Sequence, residues 1–420
     1  MNMPSSLKCV VAATVLTTLA SCGGYGRDDY FGSPQPPSPT ITVPNSIAVA
    51  DVNGDGVPDL LVATTLDQGL INNPGFANVI LGQTSAPGTY QTGVGYPTTG
   101  TDPSSIAVAD LEGSGHLDLV IANFGSGSVT VYIHGSTPGV FQPGVNIVTG
   151  GSPNQVAVGS LNGGNPDIVV ADASASGNVI VLFHDPANPG QFLAPVMLPT
   201  GVTTSAVAIA DINGDGHPDI AAATYDSNGN NGAVFVFYQS ATSPGTFAAP
   251  VQFPAGAQPQ AVRIADVNGD GLPDLVVANL GPGTDGTGTA GVSVLLQNAA
   301  SPGTFLAPVT YLTQSGSVDV AVGDVNGDGK PDLVVANLGP APTGSVSVLL
   351  QNPASPGTFG AATNYPGFGQ PLSVAIADLN GDGHPDIAIA DSTTATVMLQ
   401  NASSPGTFAQ PVQVGQQLPP

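Results

Sequence analysis

Basic residues are nearly missing from this chain: four Lys and Arg stand against 29 acidic residues in 420 positions, a formal net charge of −25. Phosphate binding needs clustered Lys and Arg, so no nucleic acid is expected as a partner. Tryptophan is absent and aromatics are only 5%. Platforms for stacking on sugar rings are therefore sparse, though Tyr225, Tyr311 and Tyr365 could contribute. Two cysteines, Cys9 and Cys22, leave no disulfide framework. The five histidines and the hydroxyl residues form no catalytic pattern, so no enzyme is expected. What the chain does have is 56 Gly, 40 Pro and a 41% hydrophobic share. An acidic excess alone suits disorder, but that much apolar residue argues for a core. Helices tolerate Gly and Pro poorly, which favours an all-β fold with many turns.

The N-terminus reads as a targeting segment. Met1 to Lys8 is short and carries one positive charge, and the apolar stretch runs only from Cys9 to Ala20. That is too short to span a bilayer and has the layout of a secretory signal. Leu19-Ala20-Ser21-Cys22 resembles the bacterial lipobox, which implies cleavage after residue 21 and lipidation of Cys22. Residues 22–43 are rich in Gly, Pro and Ser and read as a flexible tether. The expectation is a bacterial lipoprotein secreted to the cell envelope, at the outer membrane or cell surface. It would touch the membrane through its lipid only.

Internal repeats dominate the rest. DVNGDGVPD begins at Asp51, DINGDGHPD at Asp211, DVNGDGLPD at Asp266, DVNGDGKPD at Asp324 and DLNGDGHPD at Asp378. DLEGSGHLD at Asp110 is a degenerate copy, and SLNGGNPD at Ser160 is one residue short. In chain order the copies start at 51, 110, 160, 211, 266, 324 and 378, a nearly constant period. A second motif of the form Pro-Gly-x-aromatic follows each, ending at Tyr90, Phe141, Phe192, Phe247, Phe305, Phe359 and Phe408.

Each unit reads as four strands. In the sixth these are Val318 to Gly323, Leu333 to Ala336, Val346 to Leu350, and a polar strand from Phe359 toward Tyr365. Pro356-Gly357 suits the centre of a type II turn. Seven such units predict a seven-bladed β-propeller over residues 44–416, with 417–420 as a tail. The first unit lacks a convincing strand before Ile47. The C-terminal strand is therefore expected to close the ring beside the N-terminal unit.

The first motif reads as a metal loop. Positions 1, 3 and 5 offer side-chain oxygens, position 7 a backbone carbonyl and position 9 another carboxylate. The intact sets are Asp51, Asn53, Asp55, Val57 and Asp59, then Asp211, Asn213, Asp215, His217 and Asp219. They continue with Asp266, Asn268, Asp270, Leu272 and Asp274, and with Asp324, Asn326, Asp328, Lys330 and Asp332. The last is Asp378, Asn380, Asp382, His384 and Asp386. Oxygen-only ligands with several carboxylates suit Ca²⁺. Asn-Gly and Asp-Gly alone would make good hairpins, but hairpins do not require acids at positions 1, 5 and 9 together. Of the 29 acids, 19 fall in these segments, where they would repel one another without a cation. Five ions are expected. A weaker sixth set is Asp110, Glu112, Ser114, His116 and Asp118. The third unit, with Asn162 and Asp167, is expected to hold none.

These loops resemble the FG-GAP or VCBS repeats of integrin α-subunit propellers and many bacterial surface proteins. The resemblance spans about Pro44 to Gln416. It implies structural Ca²⁺ on one propeller face, and it implies fold more than function.

Spacing then points to the other face. From each motif aromatic to the next position 1 the interval is nearly constant, as in Tyr90 to Asp110 and Phe359 to Asp378. From position 9 to the next aromatic it varies, being long from Asp59 to Tyr90 and short from Asp386 to Phe408. The variation belongs to the loops between second and third strands, such as Thr65 to Asn78 and Gly281 to Gly291. Variable loops on a fixed scaffold are common recognition sites, although unselected drift would look the same. Asp172 and Asp391 follow second strands and would be the candidate acids on this face, with turn N–H groups as their alternative partners. The expected function is a calcium-stabilised, non-enzymatic interaction or adhesion scaffold binding an extracellular protein or glycan. A carbohydrate-binding lectin, or a polysaccharide lyase or hydrolase on a propeller body, are the alternatives.

Overall fold

A computed structural model describes residues 41–67, 73–229, 232–281, 290–339 and 343–414. The signal segment, Cys22, residues 22–40 of the tether, residue 415 onward, and parts of the variable loops (68–72 and 282–289 among them) lie outside the described residues.

The described chain forms seven four-stranded antiparallel sheets, each built from four consecutive strands. Blade 6 is typical, with strands Ser317–Gly323, Asp332–Asn337, Gly344–Leu349 and Thr363–Phe368. Its fourth strand starts at Thr363 rather than at Phe359, which makes only an isolated bridge to Gln351. The Pro356-Gly357 turn closes through a Thr358 N–H bond to Ser355 O of 3.1 Å, with Gly357 at φ 77°. A positive φ there suits glycine and strains other residues.

Second strands are buried along nearly their whole length, as in blade 6, whereas most residues of the fourth strands are exposed. The reason is their place in the ring. A second strand is covered by a neighbouring blade on each face, so its sequence is a continuous apolar run rather than an alternating one. Fully burying one Val, Leu or Ile side chain contributes about 1.5–3 kcal/mol. The buried residues fall into seven clusters, and each cluster joins two successive blades.

Closure differs from expectation in its means. The first blade has its own first strand, Ile41–Ala50, which starts inside the expected tether. The three residues before Pro44 extend it beyond the stretch shared with the other blades' first strands, with Ile41, Thr42 and Val43 pairing with Asp67, Leu66 and Thr65. The C-terminal strand, Val412–Gln413, is the fourth strand of blade 7 and pairs with the third. It exchanges no strand with the N-terminal blade. The joint itself is apolar: Ile47, Leu60 and Val62 pack with Leu379, Ala388, Ala390 and Val414.

First strands of all seven blades line a central channel of about 370 Å³. A partial belt of hydrogen bonds links them. Ser46 Oγ accepts from Ile106 N at 3.3 Å, Ser105 Oγ from Val156 N at 3.3 Å, and Gln155 Oε1 from Val207 N at 2.8 Å.

The two faces are unequal. Connections between first and second strands are nearly uniform, from 160–166 in blade 3 to 51–58 in blade 1. Those between third and fourth strands are equally uniform, from 133–144 in blade 2 to 81–93 in blade 1. Connections between second and third strands range from the short 392–394 in blade 7 to the long 280–290 in blade 5. Alternating strand direction puts the first two kinds on one face and the variable kind on the other.

Candidate metal loops and the opposite face

In each intact loop the position 1 carboxylate turns back onto its own backbone. Asp51 Oδ1 accepts from Gly54 N at 2.7 Å and Asp55 N at 3.2 Å, and Oδ2 accepts from Gly56 N at 2.7 Å. Asn53 Oδ1 accepts from Asp55 N at 2.8 Å, and Asp55 Oδ1 accepts from Val57 N at 2.9 Å. Gly54 and Gly56 make this wrap possible with φ of 74° and 83°. The loop of Asp266 repeats the pattern, with Asp266 Oδ1 accepting from Gly269 N at 2.7 Å and Oδ2 from Gly271 N at 2.8 Å.

Position 9 has an additional job. Asp59 is fully buried; its Oδ2 accepts from Val52 N at 2.9 Å and its Oδ1 from Gly82 N at 2.8 Å. It pins the loop to the end of the third strand. All seven blades keep this acid and its two bonds, including Asp118 and Asp167 in the degenerate copies. Its retention in the damaged third copy therefore follows from the hairpin and needs no ion. Sequence reasoning misses that role, although the surviving Asp167 is its signal. Burial, with a smaller push from the neighbouring loop carboxylates, raises Asp59, Asp219, Asp274, Asp332 and Asp386 to about 6, against the lowering effect of their amide bonds.

Among the described residues no group of three or more His, Cys, Asp or Glu side chains converges as a ready metal cage. The donors nonetheless keep capacity. A carboxylate offers about four lone-pair sites. Asp51 spends three of them, Asp55 two and Asp59 two on hydrogen bonds. The donor set that remains is all oxygen, which fits a hard cation.

The degenerate loops diverge. Asp110 still accepts from Ser114 N at 2.9 Å and Gly115 N at 2.7 Å. In the third blade Ser160 replaces the position 1 acid, and His184 Nδ1 lies 3.0 Å from Asp167 Oδ1. His116 stacks on His134 with ring centroids 4.8 Å apart, and no described histidine cluster makes a metal site.

The second motif packs on the first motif of the preceding blade. A Cβ placed on Gly357 of blade 6 would sit 2.9 Å from Asn268 Cβ of blade 5. Gly303 meets Asn213, Gly406 meets Asn326, and Gly139 meets Asn53 in the same way, at 3.1, 3.1 and 3.3 Å. Gly88 of blade 1 meets Asn380 of blade 7 at 3.1 Å, so the contact runs across the closure. Glutamines reinforce it: Gln297 Nε2 donates to Ile212 O at 3.0 Å and Gln351 Nε2 to Val267 O at 2.7 Å. Tyr238 Oη donates to Gly303 O across the joint of blades 4 and 5.

On the opposite face, Asp172 and Asp391 serve as turn acceptors. Asp172 Oδ1 accepts from Ser152 N and Ser174 N at 2.8 and 3.0 Å, and Oδ2 from Ser174 Oγ and Asn178 Nδ2 at 2.9 and 3.0 Å. Asp391 accepts from Gly369 N and Gln370 N at 2.8 and 2.9 Å. Both are buried. Each ties the connection entering its blade to the variable loop.

A family described as FG-GAP-like repeat matches residues 164–222, 213–277, 283–335 and 332–389, and one described as FG-GAP repeat matches 43–78. No match was found among curated proteins. Among solved structures, BBS1N in complex with ARL6DN, soaked with mercury, is similar at 13% identity and a TM-score of 0.52, covering 87% of this chain and 94% of that one. The same complex soaked with lead gives 13% and 0.50, covering 84% and 90%. At that identity the likeness concerns the fold alone. With its FG-GAP-like matches covering more than half of its length, the chain belongs to the FG-GAP repeat family.

Proposed function

We propose that this propeller is a calcium-stabilised, non-enzymatic interaction scaffold of the cell envelope. Its partner, an extracellular protein or glycan, meets the face opposite the metal loops. The observation that carries this reading is the contrast between uniform connections on one face and connections as unequal as 392–394 and 280–290 on the other. Uniform connections hold the ring, and free variation is confined to one surface. Calcium belongs to the ring. Position 1, 3 and 5 oxygens with spare lone pairs suit it, and the ion would offset the acids that otherwise repel. Extracellular calcium modules work at dissociation constants of about 10⁻⁴ to 10⁻³ M. The buried, hydrogen-bonded Asp172 and Asp391 speak against a lyase or hydrolase using them.

The test is capture of cell-surface proteins or glycans by the lipid-free propeller in calcium. The probe is compared with a variant whose connections 173–177, 280–290 and 392–394 are replaced by Gly-Ser of equal length. Loss of capture in that variant, with an unchanged melt, supports the reading. Equal capture by both overturns the assignment of the face.

A further inference from the structure

Six of the seven loops carry an Asn-Gly pair, but these pairs are not chemically equivalent. An Asn-Gly pair can deamidate without an enzyme. The glycine amide nitrogen attacks the Asn Cγ, a C–N bond forms, and ammonia leaves with the Nδ2 nitrogen. Water then opens the cyclic imide to Asp or isoaspartate. One water enters and one ammonia departs. The step needs a free glycine N–H and an Asn side chain able to swing back toward it.

In five loops both groups are tied. Gly54, Gly214, Gly269, Gly327 and Gly381 donate their N–H to the position 1 carboxylate at 2.7, 2.8, 2.7, 2.7 and 2.8 Å. A carboxylate acceptor makes that N–H harder to deprotonate and holds it away from the side chain. The Asn Oδ1 is held forward by the position 5 N–H, at 2.8 Å for Asn53, Asn268 and Asn326 and 2.9 Å for Asn213 and Asn380.

The third blade has lost both restraints. Ser160 stands where the acid would be, and the loop is one residue short. Among the described residues neither Gly163 N–H nor the exposed Asn162 side chain has a hydrogen-bond partner. We propose that Asn162 is the spontaneous deamidation site among the loop asparagines, and that the position 1 aspartates protect the other five. Outside the loops, Gly229 N–H donates to Asp226 O at 2.9 Å, which restrains Asn228 as well. The product places a new carboxylate, or a lengthened backbone, against the Gly245 turn of blade 4, where a Cβ on Gly245 would lie 3.7 Å from Asn162 Cβ.

The experiment is peptide-mapping mass spectrometry of the folded protein during warm incubation at neutral pH, with and without chelator. Each site is normalised to its own rate in the urea-unfolded chain, which removes sequence effects, and Asn231-Gly232 is mapped separately. One charge-assisted hydrogen bond predicts a normalised rate at Asn162 about tenfold or more above the five capped sites. The contrast should persist in chelator, because the restraints are hydrogen bonds. Asp211→Ala should raise Asn213 toward the Asn162 rate and leave Asn53 unchanged. Should that variant not fold, the wild-type pattern decides alone. Equal normalised rates at Asn162 and the capped sites, or a contrast that vanishes in chelator, overturn the proposal.

Discussion

Arg263 of blade 5 reaches along the central channel wall to Asp319 of blade 6, Nη2 to Oδ1 at 2.7 Å. Arg263 stands three residues before its loop, where the other six blades carry Ala48, Ala107, Ala157, Ala208, Ala321 and Ala375. Asp319 also accepts from Val374 N of blade 7 at 3.1 Å and from Val320 N at 2.9 Å. One carboxylate thus ties three consecutive blades.

Removing it should cost more than removing its partner. Asp319→Ala strands two backbone donors and a guanidinium, an expected loss of about 2–3 kcal/mol. Arg263→Ala restores the residue of the sister blades and should cost under about 1 kcal/mol, because the guanidinium is partly exposed. Urea unfolding of the two variants measures both, and equal losses would reject the assignment.

Calcium removal gives the second prediction. Each site filled at a hundredfold excess over its dissociation constant adds about 2.7 kcal/mol to folding stability. Chelation should therefore lower the melting temperature by many degrees, and elemental analysis of the native protein should find about five Ca²⁺, one for each intact loop. An unchanged melt with no bound calcium would dismiss the metal.

Acid should act in opposite directions with and without the ion. Asp59, Asp219, Asp274, Asp332 and Asp386 are held at about 6 in the metal-free fold, above the ordinary 3.8. Between those values the folded chain binds more protons than the unfolded one, so stability rises as pH falls. In chelator the urea midpoint should be higher at pH 5 than at pH 7.5. With calcium the proton competes, and affinity should weaken as pH drops through about 6. A chelated protein that loses stability from pH 7.5 to 5 would contradict the burial argument.

Two glycine substitutions separate the turn from the joint. Gly271→Ala places a Cβ in open space at φ 85°, so only backbone strain of about 1 kcal/mol is expected. Gly357→Ala adds to a similar strain a clash with Asn268 of the neighbouring blade, and about 2–4 kcal/mol is expected. Thermal unfolding with calcium present gives the comparison, and equal losses would remove the joint from the account.

Much of this architecture is legible in the residues. The two interleaved motifs define seven units, and their constant and variable spacings separate the two faces. What stays hidden is whatever crosses between blades. Spacing along the chain does not reveal that Gly357 meets Asn268, or that Gln351 meets Val267 O, because those partners lie in different repeats. The early start of the first strand is obscured for a local reason: Ile41–Val43 lie beyond the stretch that the seven units share, so no repeat points to them. The structural role of position 9 is hidden because burial is invisible in a polar residue. Asp59 looks in sequence like Asp55, yet one is sealed in the hairpin and the other lies on the loop surface.

Every blade takes all four strands from one uninterrupted stretch of chain, the last included. The joint between the blade ending at Val414 and the blade opening at Ile41 is packed by an apolar cluster like the other six, and differs from them in having no strand-to-strand connection across it. A gene encoding the same ring could begin at any blade. Circular permutants that join the two ends and cut between a fourth strand and the next first strand should close into the same molecule.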